Sequence, residues 1–244
     1  MKDEYARVET VTTSPTGRVV IVGDIHGCLA QLQELLRVVG FNKEKDLLIS
    51  VGDMVNKGPD SIGVLTLLRS LGVRSVLGNH EVKLLKLRKA LRKEGEIPKK
   101  YRDSTLAPLA KDLPLEMETY LSQLPHILRI PSHNLIIVHA GLHPQLPLER
   151  QRVKDITTMR NLISHADGSL EVSEETNAGV PWASLWRGPE VVVFGHDARR
   201  NVQQLPFAFG LDSRCVYGGK LTALIYPGGS LVSVPGWTAG SPNM

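Results

Sequence analysis

The sequence predicts an α/β fold in which two stacked sheets are flanked by helices and polar residues gather at the carboxyl ends of the strands. Three observations carry this expectation. Short β-branched runs (Val19 to Val22, Leu47 to Val51, Val73 to Leu77) alternate with stretches whose apolar residues recur at helical spacing. Each run empties into a segment rich in Gly, Asp, Asn or His. Two later runs, Leu221 to Tyr226 and Leu231 to Val234, bracket Pro227-Gly228-Gly229 and read as a closing hairpin.

Taken in order, residues 1–17 are mixed acidic and Thr-rich without an apolar core, and are expected to form a loose N-terminal arm before one domain spanning 18–244. Arg18 to Gly23 is the first strand. Leu29, Leu32, Leu35, Leu36 and Val39 then mark a helix that Gly40 stops. Leu47 to Val51 is a strand, Asp60 to Leu71 a helix ended by Gly72, and Val73 to Leu77 a strand. Three such βα steps imply a parallel layer with right-handed crossovers. Further helices are expected over Glu81 to Glu94 and Leu115 to Leu124, separated by a polar linker. Strands are expected next at Ile127 to Ile130, Leu135 to Val138 and Val191 to Phe194, with a helix around Met159-Arg160-Asn161.

Five segments carry the chemistry: Gly23-Asp24-Ile25-His26-Gly27, Gly52-Asp53-Met54-Val55-Asn56-Lys57-Gly58, Gly78-Asn79-His80-Glu81, His139-Ala140-Gly141 and Gly195-His196-Asp197. A carboxylate can bridge two divalent cations, and imidazoles complete coordination without adding charge. The adjacent glycines permit tight turns and close backbone approach. One such segment alone is ordinary loop chemistry. Five in succession, each after a strand, point to a two-metal site in one crevice.

The order Asp-x-His, Gly-Asp, Gly-Asn-His, His-Ala-Gly, Gly-His resembles the calcineurin-like metallophosphoesterases over roughly residues 18 to 235. Within that superfamily it is most similar to the group holding the phosphoprotein phosphatases and the symmetrical diadenosine tetraphosphatases (ApaH-like phosphatases). The resemblance implies a two-sheet β-sandwich with Asp24 and His26 as ligands of a first metal and Asp53 as the bridge. Asn79, His139 and His196 would then bind the second metal. It makes His80 the proton donor to the leaving group and places Lys57 where relatives hold a basic residue against phosphoryl oxygens. The cofactors implied are two divalent ions; manganese, cobalt, iron or zinc all suit mixed oxygen and imidazole ligands.

Phosphoprotein phosphatases of this kind carry Asp-Arg where this chain has Asn56-Lys57, and that Asp keeps the donor His charged. Asn56 cannot. An alkoxide leaving group depends on such an acid far more than a nucleotide phosphate does, so the sequence favours phosphoanhydride cleavage. Leu211 to Leu224 and Asn56 to Ser61 also resemble the diadenosine tetraphosphatases. The expected substrate is therefore a nucleoside polyphosphate, diadenosine tetraphosphate or a relative such as a capped RNA 5′ end; a serine/threonine phosphoprotein phosphatase is the alternative. Arg160 and Arg187, the latter shortly before the strand that delivers His196, are candidate guanidinium clamps for a phosphoryl group.

Composition is that of an ordinary globular enzyme, with 42% hydrophobic and 22% charged residues and a net charge of +4. No apolar run approaches the roughly 20 residues that span a bilayer, and no secretory signal is recognisable. The expectation is a cytoplasmic protein with no membrane contact and no obligate protein partner. Cys28 and Cys215 show no zinc-knot spacing, and a structural disulfide is not expected of them. Lys83, Lys86, Arg88, Lys89, Arg92, Lys93, Lys99, Lys100 and Arg102 crowd one segment, either as a solvated helix face or as an attractor for a phosphate chain.

Overall fold

The computed structural model describes residues 4–12 and 17–239. In chain order, β1 (Val8–Thr10) and β2 (Arg18–Val22) lead to α1 (Leu29–Val39), β3 (Asp46–Ser50), α2 (Ser61–Ser70), β4 (Arg74–Ser75) and α3 (Asn79–Glu94). Next come α4 (Leu106–Asp112), α5 (Leu115–Gln123), β5 (Ile127–Ile130), β6 (Leu135–Val138), α6 (Val153–Thr158), β7 (Asn161–Ser164), β8 (Leu170–Ser173) and β9 (Val180–Pro181). The chain closes through β10 (Val191–Phe194), β11 (Gln203–Leu205), β12 (Ala208–Gly210), β13 (Lys220–Tyr226) and β14 (Ser230–Pro235).

Two sheets dominate. One has the order β14-β13-β2-β3-β4 and the other β1-β5-β6-β10-β12-β11, with a small β8-β7-β9 sheet beside them. Because successive side chains leave a strand on opposite faces, each strand serves two layers. Val19, Ile21, Ile49 and Val51 pack with Leu128, Ile130, Leu135, Ile137 and Val193 between the sheets. Val20, Val22 and Leu48 instead pack under the helices with Leu32, Leu35, Leu65, Leu68 and Leu84. On the far side Ile136, Val138, Val192 and Phe194 meet Ile156, Leu162 and Trp182. The result is the two-sheet sandwich flanked by helices that the sequence predicts.

Local signals act as expected at several ends. Gly40 closes α1 in the left-handed region (φ 62°), and the Asp60 carboxylate accepts the Gly63 N–H at 2.7 Å to start α2. The N-terminal arm is a correction. Val8–Thr10 is an edge strand paired in parallel with β5, Val8 opposite Ile127. Arg7 N–H donates to His126 Nδ1 (3.0 Å) and Val11 is buried between the sheets. A strand this short, with a half-buried Glu9 and an exposed Thr10, gives no apolar run in sequence. The rest of the expected arm, residues 1–3 and 13–16, lies outside the described residues. After the polar linker, which runs to Thr105, the chain forms a helix that was not expected, α4, which buries Leu106, Ala107 and Ala110. Cys28 and Cys215 are buried free thiols of one core cluster. Among the described residues no helix is long and apolar enough to cross a membrane.

Candidate active site

The site forms where both sheets end. β2, β3 and β4 run parallel, as do β6 and β10 across the sandwich, so their carboxyl ends converge on one edge. Chain leaving β2 supplies Asp24 and His26, chain leaving β3 supplies Asp53, Asn56 and Lys57, and the start of α3 supplies Asn79 and His80. His139 comes directly after β6, and His196 after β10 by one glycine.

Asp53 is the centre. Its Oδ2 lies 3.5 Å from His26 Nε2 and 3.8 Å from His80 Nε2, while Oδ1 lies 3.5 Å from His139 Nε2. Two donor groups share it, His26–Asp53–His80 and Asp53–His139–His196, each with its atoms within 4.8 Å of one another. Asn79 Oδ1 sits 3.0 Å from His139 Nε2. Asp24 belongs to neither group; both its oxygens accept the His196 backbone N–H at 3.1 Å, tying the first sheet to the second. The histidines are oriented from behind: His26 Nδ1 lies 3.0 Å from Val55 O, His139 Nδ1 2.9 Å from Val51 O and His196 Nε2 3.1 Å from Thr158 O. Such contacts fix which nitrogen faces the centre.

Burial sets the protonation. It pushes the Asp53 carboxyl up to about 7 and Asp24 well above the usual carboxylate range, the latter helped by the charges of Asp212 and Asp53. It pulls His26 down to about 3 and His80 to about 2, and lowers His139 and His196 as well. These imidazoles are neutral at pH 7, and those of His26, His139 and His196 keep a lone pair for a metal. Buried carboxylates short of positive charge, beside neutral imidazoles, are the donor set that divalent cations complete. The residues present therefore fit the metals that the sequence implies.

Glycine and backbone conformation both shape the centre. A Cβ on Gly195 would lie 1.9 Å from Asp24 Oδ1, so only glycine lets the carboxylate reach the next backbone amide. Non-glycine residues in the left-handed region cluster here: His26, Asp53, Asn56, Lys57 and His196 have φ of 47°, 48°, 74°, 69° and 67°. Backbone strain of this kind persists where surrounding structure over-determines it. Glu81 is part of what does so. Fully buried, it accepts the N–H groups of Asp53 (2.9 Å), Gly78 (2.9 Å) and Val55 (3.1 Å). Its role, like that of buried Asp212, is invisible in sequence, although Glu81 directly adjoins Asn79-His80 and Asp212 lies in the stretch Leu211 to Leu224.

Among the expected cations, Lys57 reaches the site: its Nζ is 3.1 Å from His26 Nε2 and 5.2 Å from the exposed Tyr217 ring centre. Arg160 stands at its edge, with Nε 3.7 Å from Asp197 Oδ1 and neither atom satisfied by a hydrogen bond. It is not helical. α6 ends before it, the chain turns extended at Met159, and Arg160 N–H donates to Ser173 O as β7 begins. Arg187 is not brought to the site. The adjacent Gly188 abuts the Phe207 ring, and Pro189 O accepts from Asn134 Nδ2, contacts at the amino ends of β12 and β6. Counting toward His196 along the chain misleads, because β10 crosses the sandwich between them. Trp182 is buried and Trp186 half-buried against the same core, their indole N–H groups bonded to Ala140 O and Glu190 O.

The calcineurin-like phosphoesterase family model matches residues 17–204. The chain belongs to this family. It is accordingly a metallophosphoesterase, a hydrolase of a family that uses divalent metals. It is 32% identical over 268 residues to the symmetrical bis(5′-nucleosyl)-tetraphosphatase of Coxiella burnetii strain RSA 493, covering 88% of this chain and 90% of that one. The enzyme of the same name from Shewanella putrefaciens is 38% identical over 147 residues, covering 59% of this chain and 50% of its own. A crystal structure provisionally named a diadenosine tetraphosphatase superposes with a TM-score of 0.87 at 59% identity, over 96% of this chain and all of its own. A yeast serine/threonine phosphatase similar to human PP5 shares the fold alone, with a TM-score of 0.58 and 14% identity over 98% of this chain and 86% of its own.

Proposed function

We propose that this metallophosphoesterase hydrolyses phosphoanhydride bonds of nucleoside polyphosphates, with diadenosine tetraphosphate the leading substrate and capped RNA 5′ ends sharing the same chemistry. Asp24, His26, Asp53, Asn79, His139 and His196 would hold two divalent cations, with Asp53 between them. Bound there, such cations would supply a water nucleophile at neutral pH and neutralise charge on the phosphoryl oxygens. Lys57 Nζ and the Arg160 guanidinium offer donors to those oxygens from two sides. Asp24, Asp53 and Glu81 fix the loops that carry these groups.

The observation that carries this reading is Asn56 beside His80. Asn56 Nδ2 lies 2.8 Å from His80 Nδ1, and Asn56 Oδ1 is buried with no partner. As placed, the amide donates to Nδ1, so the neutral ring bears its proton on Nε2, the nitrogen nearest Asp53. Such a ring gives a leaving oxygen a hydrogen bond, but giving up the proton would leave an imidazolate. With the amide reversed, Oδ1 accepts from Nδ1–H; neither orientation supplies the negative charge that would hold an imidazolium. The leaving group must therefore depart as a stable anion, which a nucleotide phosphate does and a serine alkoxide does not. The relatives named symmetrical bis(5′-nucleosyl)-tetraphosphatases support the same substrate class.

The test is a panel of diadenosine tetraphosphate, cap analogue, inorganic polyphosphate and phosphoserine peptide, assayed with manganese, cobalt and magnesium in turn. Wild-type protein should favour the anhydrides, and Asn56→Asp should raise peptide turnover roughly tenfold or more relative to anhydride turnover. A wild-type preference for the phosphopeptide overturns the substrate class.

A further inference from the structure

The basic segment around α3 sorts into two sets in space. Arg88 and Arg92 both grip Glu118, the former at 2.8 Å, and Arg102 pairs with Glu96 at 2.5 Å. These hold α3, α5 and the intervening chain together. Lys83, Lys86 and Lys100 have no acidic partner among the described residues, and all three line one groove of about 1770 Å³. The groove opens at the metal centre, since Asn79 and Thr158, which touch His139 and His196, also line it.

Helix geometry orders these groups. Asn79, Lys83 and Lys86 stand at i, i+4 and i+7 on one face, so the two lysines lie roughly 6 and 10 Å along the axis from the ligand residue. Lys83 and Lys100 each hold their ammonium 4.9 and 4.8 Å from the Tyr101 ring centre, which keeps both cations at the groove rather than swinging free. Of the acidic groups that line the groove, Asp155 is paired with Arg152 (2.7 Å) and Glu171 with His165 (3.0 Å), while Glu4 stands exposed to solvent. Unpaired like charges in a row repel one another unless an anion lies along them. The groove is also larger than a small-molecule pocket, for which about 300–1,000 Å³ is usual.

We infer that Lys83, Lys86 and Lys100 form a distal track for a linear phosphate chain, holding the phosphates that lie beyond the one attacked at the metal centre. This rests on the phosphoanhydride reading of that centre, and it assigns the lysines a binding role rather than a catalytic one. A substrate with one phosphate gains nothing from the track. Each further phosphate gains one partner, so long anhydrides are selected over short esters by binding.

The experiment compares wild type with the Lys83→Gln/Lys86→Gln/Lys100→Gln variant, both saturated with manganese. Calorimetric titration with inorganic tripolyphosphate should show affinity reduced about tenfold or more, two- to fivefold per lysine, with a shallower dependence on salt. Orthophosphate, which reaches only the metal centre, should bind both proteins equally. KM for diadenosine tetraphosphate should rise with tripolyphosphate affinity loss while kcat stays within about twofold. Unchanged tripolyphosphate affinity overturns the track, and so does an equal loss for orthophosphate, which would make the lysines supports of the metal centre. A rise in KM without a loss of tripolyphosphate affinity overturns it too, by assigning the lysines to the second nucleoside. Because the titrations need no turnover, they decide the track even if the protein fails to cleave any dinucleotide.

Discussion

Glu81→Gln tests how the metal-ligand loops are held. Glu81 Oε2 accepts two backbone N–H groups, from Asp53 and Gly78, and Oε1 accepts one, from Val55. Glutamine preserves the shape but turns one oxygen into an NH₂. In the cheaper orientation the amide oxygen keeps the first pair and the NH₂ faces the Val55 N–H, leaving a buried donor against a donor at a cost of about 1–3 kcal/mol. Glu81→Ala strands all three donors and opens a void, so it should cost at least about twice as much. The pH dependence adds an internal check in metal-free protein. Burial pushes the Glu81 carboxyl up to about 7, so the wild type loses stability as pH rises from its unfolded value toward 7 and glutamine does not. The gap between wild type and Glu81→Gln should therefore narrow by about 1 kcal/mol between pH 6 and pH 8. Urea denaturation at both pH values measures the stabilities. Because Asp53 hangs from the same oxygen, kcat/KM should also fall roughly 10- to 100-fold. A glutamine variant as stable as wild type at pH 6 and fully active would refute the account of Glu81 as the clasp between the two loops.

Metal affinity should rise at least about tenfold per pH unit up to near pH 7, because the Asp53 carboxyl, raised to about 7, and the Asp24 carboxyl, also raised, must lose their protons to bind, whereas the depressed histidines offer no competition. Competition with a chelating dye measures this; Asp53→Asn should bind weakly with a shallower pH dependence, the part left by Asp24, and a wild-type midpoint near pH 5 would contradict it. Arg160→Ala should lower kcat/KM about 10- to 100-fold at unchanged metal content, whereas Arg187→Ala, at the far ends of the strands, should stay within about twofold. Equal losses for the two would show that position along the sandwich does not decide the role.

The residues that gather at the candidate site were legible because each comes just after a short buried strand, and strands β2, β3, β6 and β10 could be placed from apolar runs alone. Residues leaving such a strand land on the same edge whatever the details of the loops. Arg187 was misplaced for the complementary reason, and Arg160 reaches the edge of the site at the start of β7 rather than from the expected helix. Arg187 precedes β10 and so lies at its amino end, opposite the edge from which the chain leaves toward His196, and Met159 carries no signal that α6 has ended at Thr158. Val8–Thr10 escaped because its partner, Ile127–Ile130, is more than a hundred residues away and supplies the pairing that three residues cannot announce. The basic segment was legible only as charge. Its division into paired arginines and groove-facing lysines depends on Glu118 and Glu96, whose pairings only the folded chain reveals.

The first donor group, His26, Asp53 and His80, draws on one sheet, whereas the second joins Asp53 from that sheet to His139 and His196 from the other. Neither sheet alone can hold a bridged pair of cations. The cross-links between them, Asp24 to the His196 amide and His139 Nδ1 to Val51 O, are buried polar contacts that form only when the sandwich core beneath them closes. Left-handed backbone at His26, Asp53 and His196 opposes that closure, as does confining the carboxylates of Asp24, Asp53, Glu81 and Asp212 together. The apolar contacts of Ile21, Ile49, Val51, Ile137 and Val193 must outweigh both. A ligand that binds only the closed arrangement stabilises it by mass action, so divalent cations here add to the fold as well as to the chemistry.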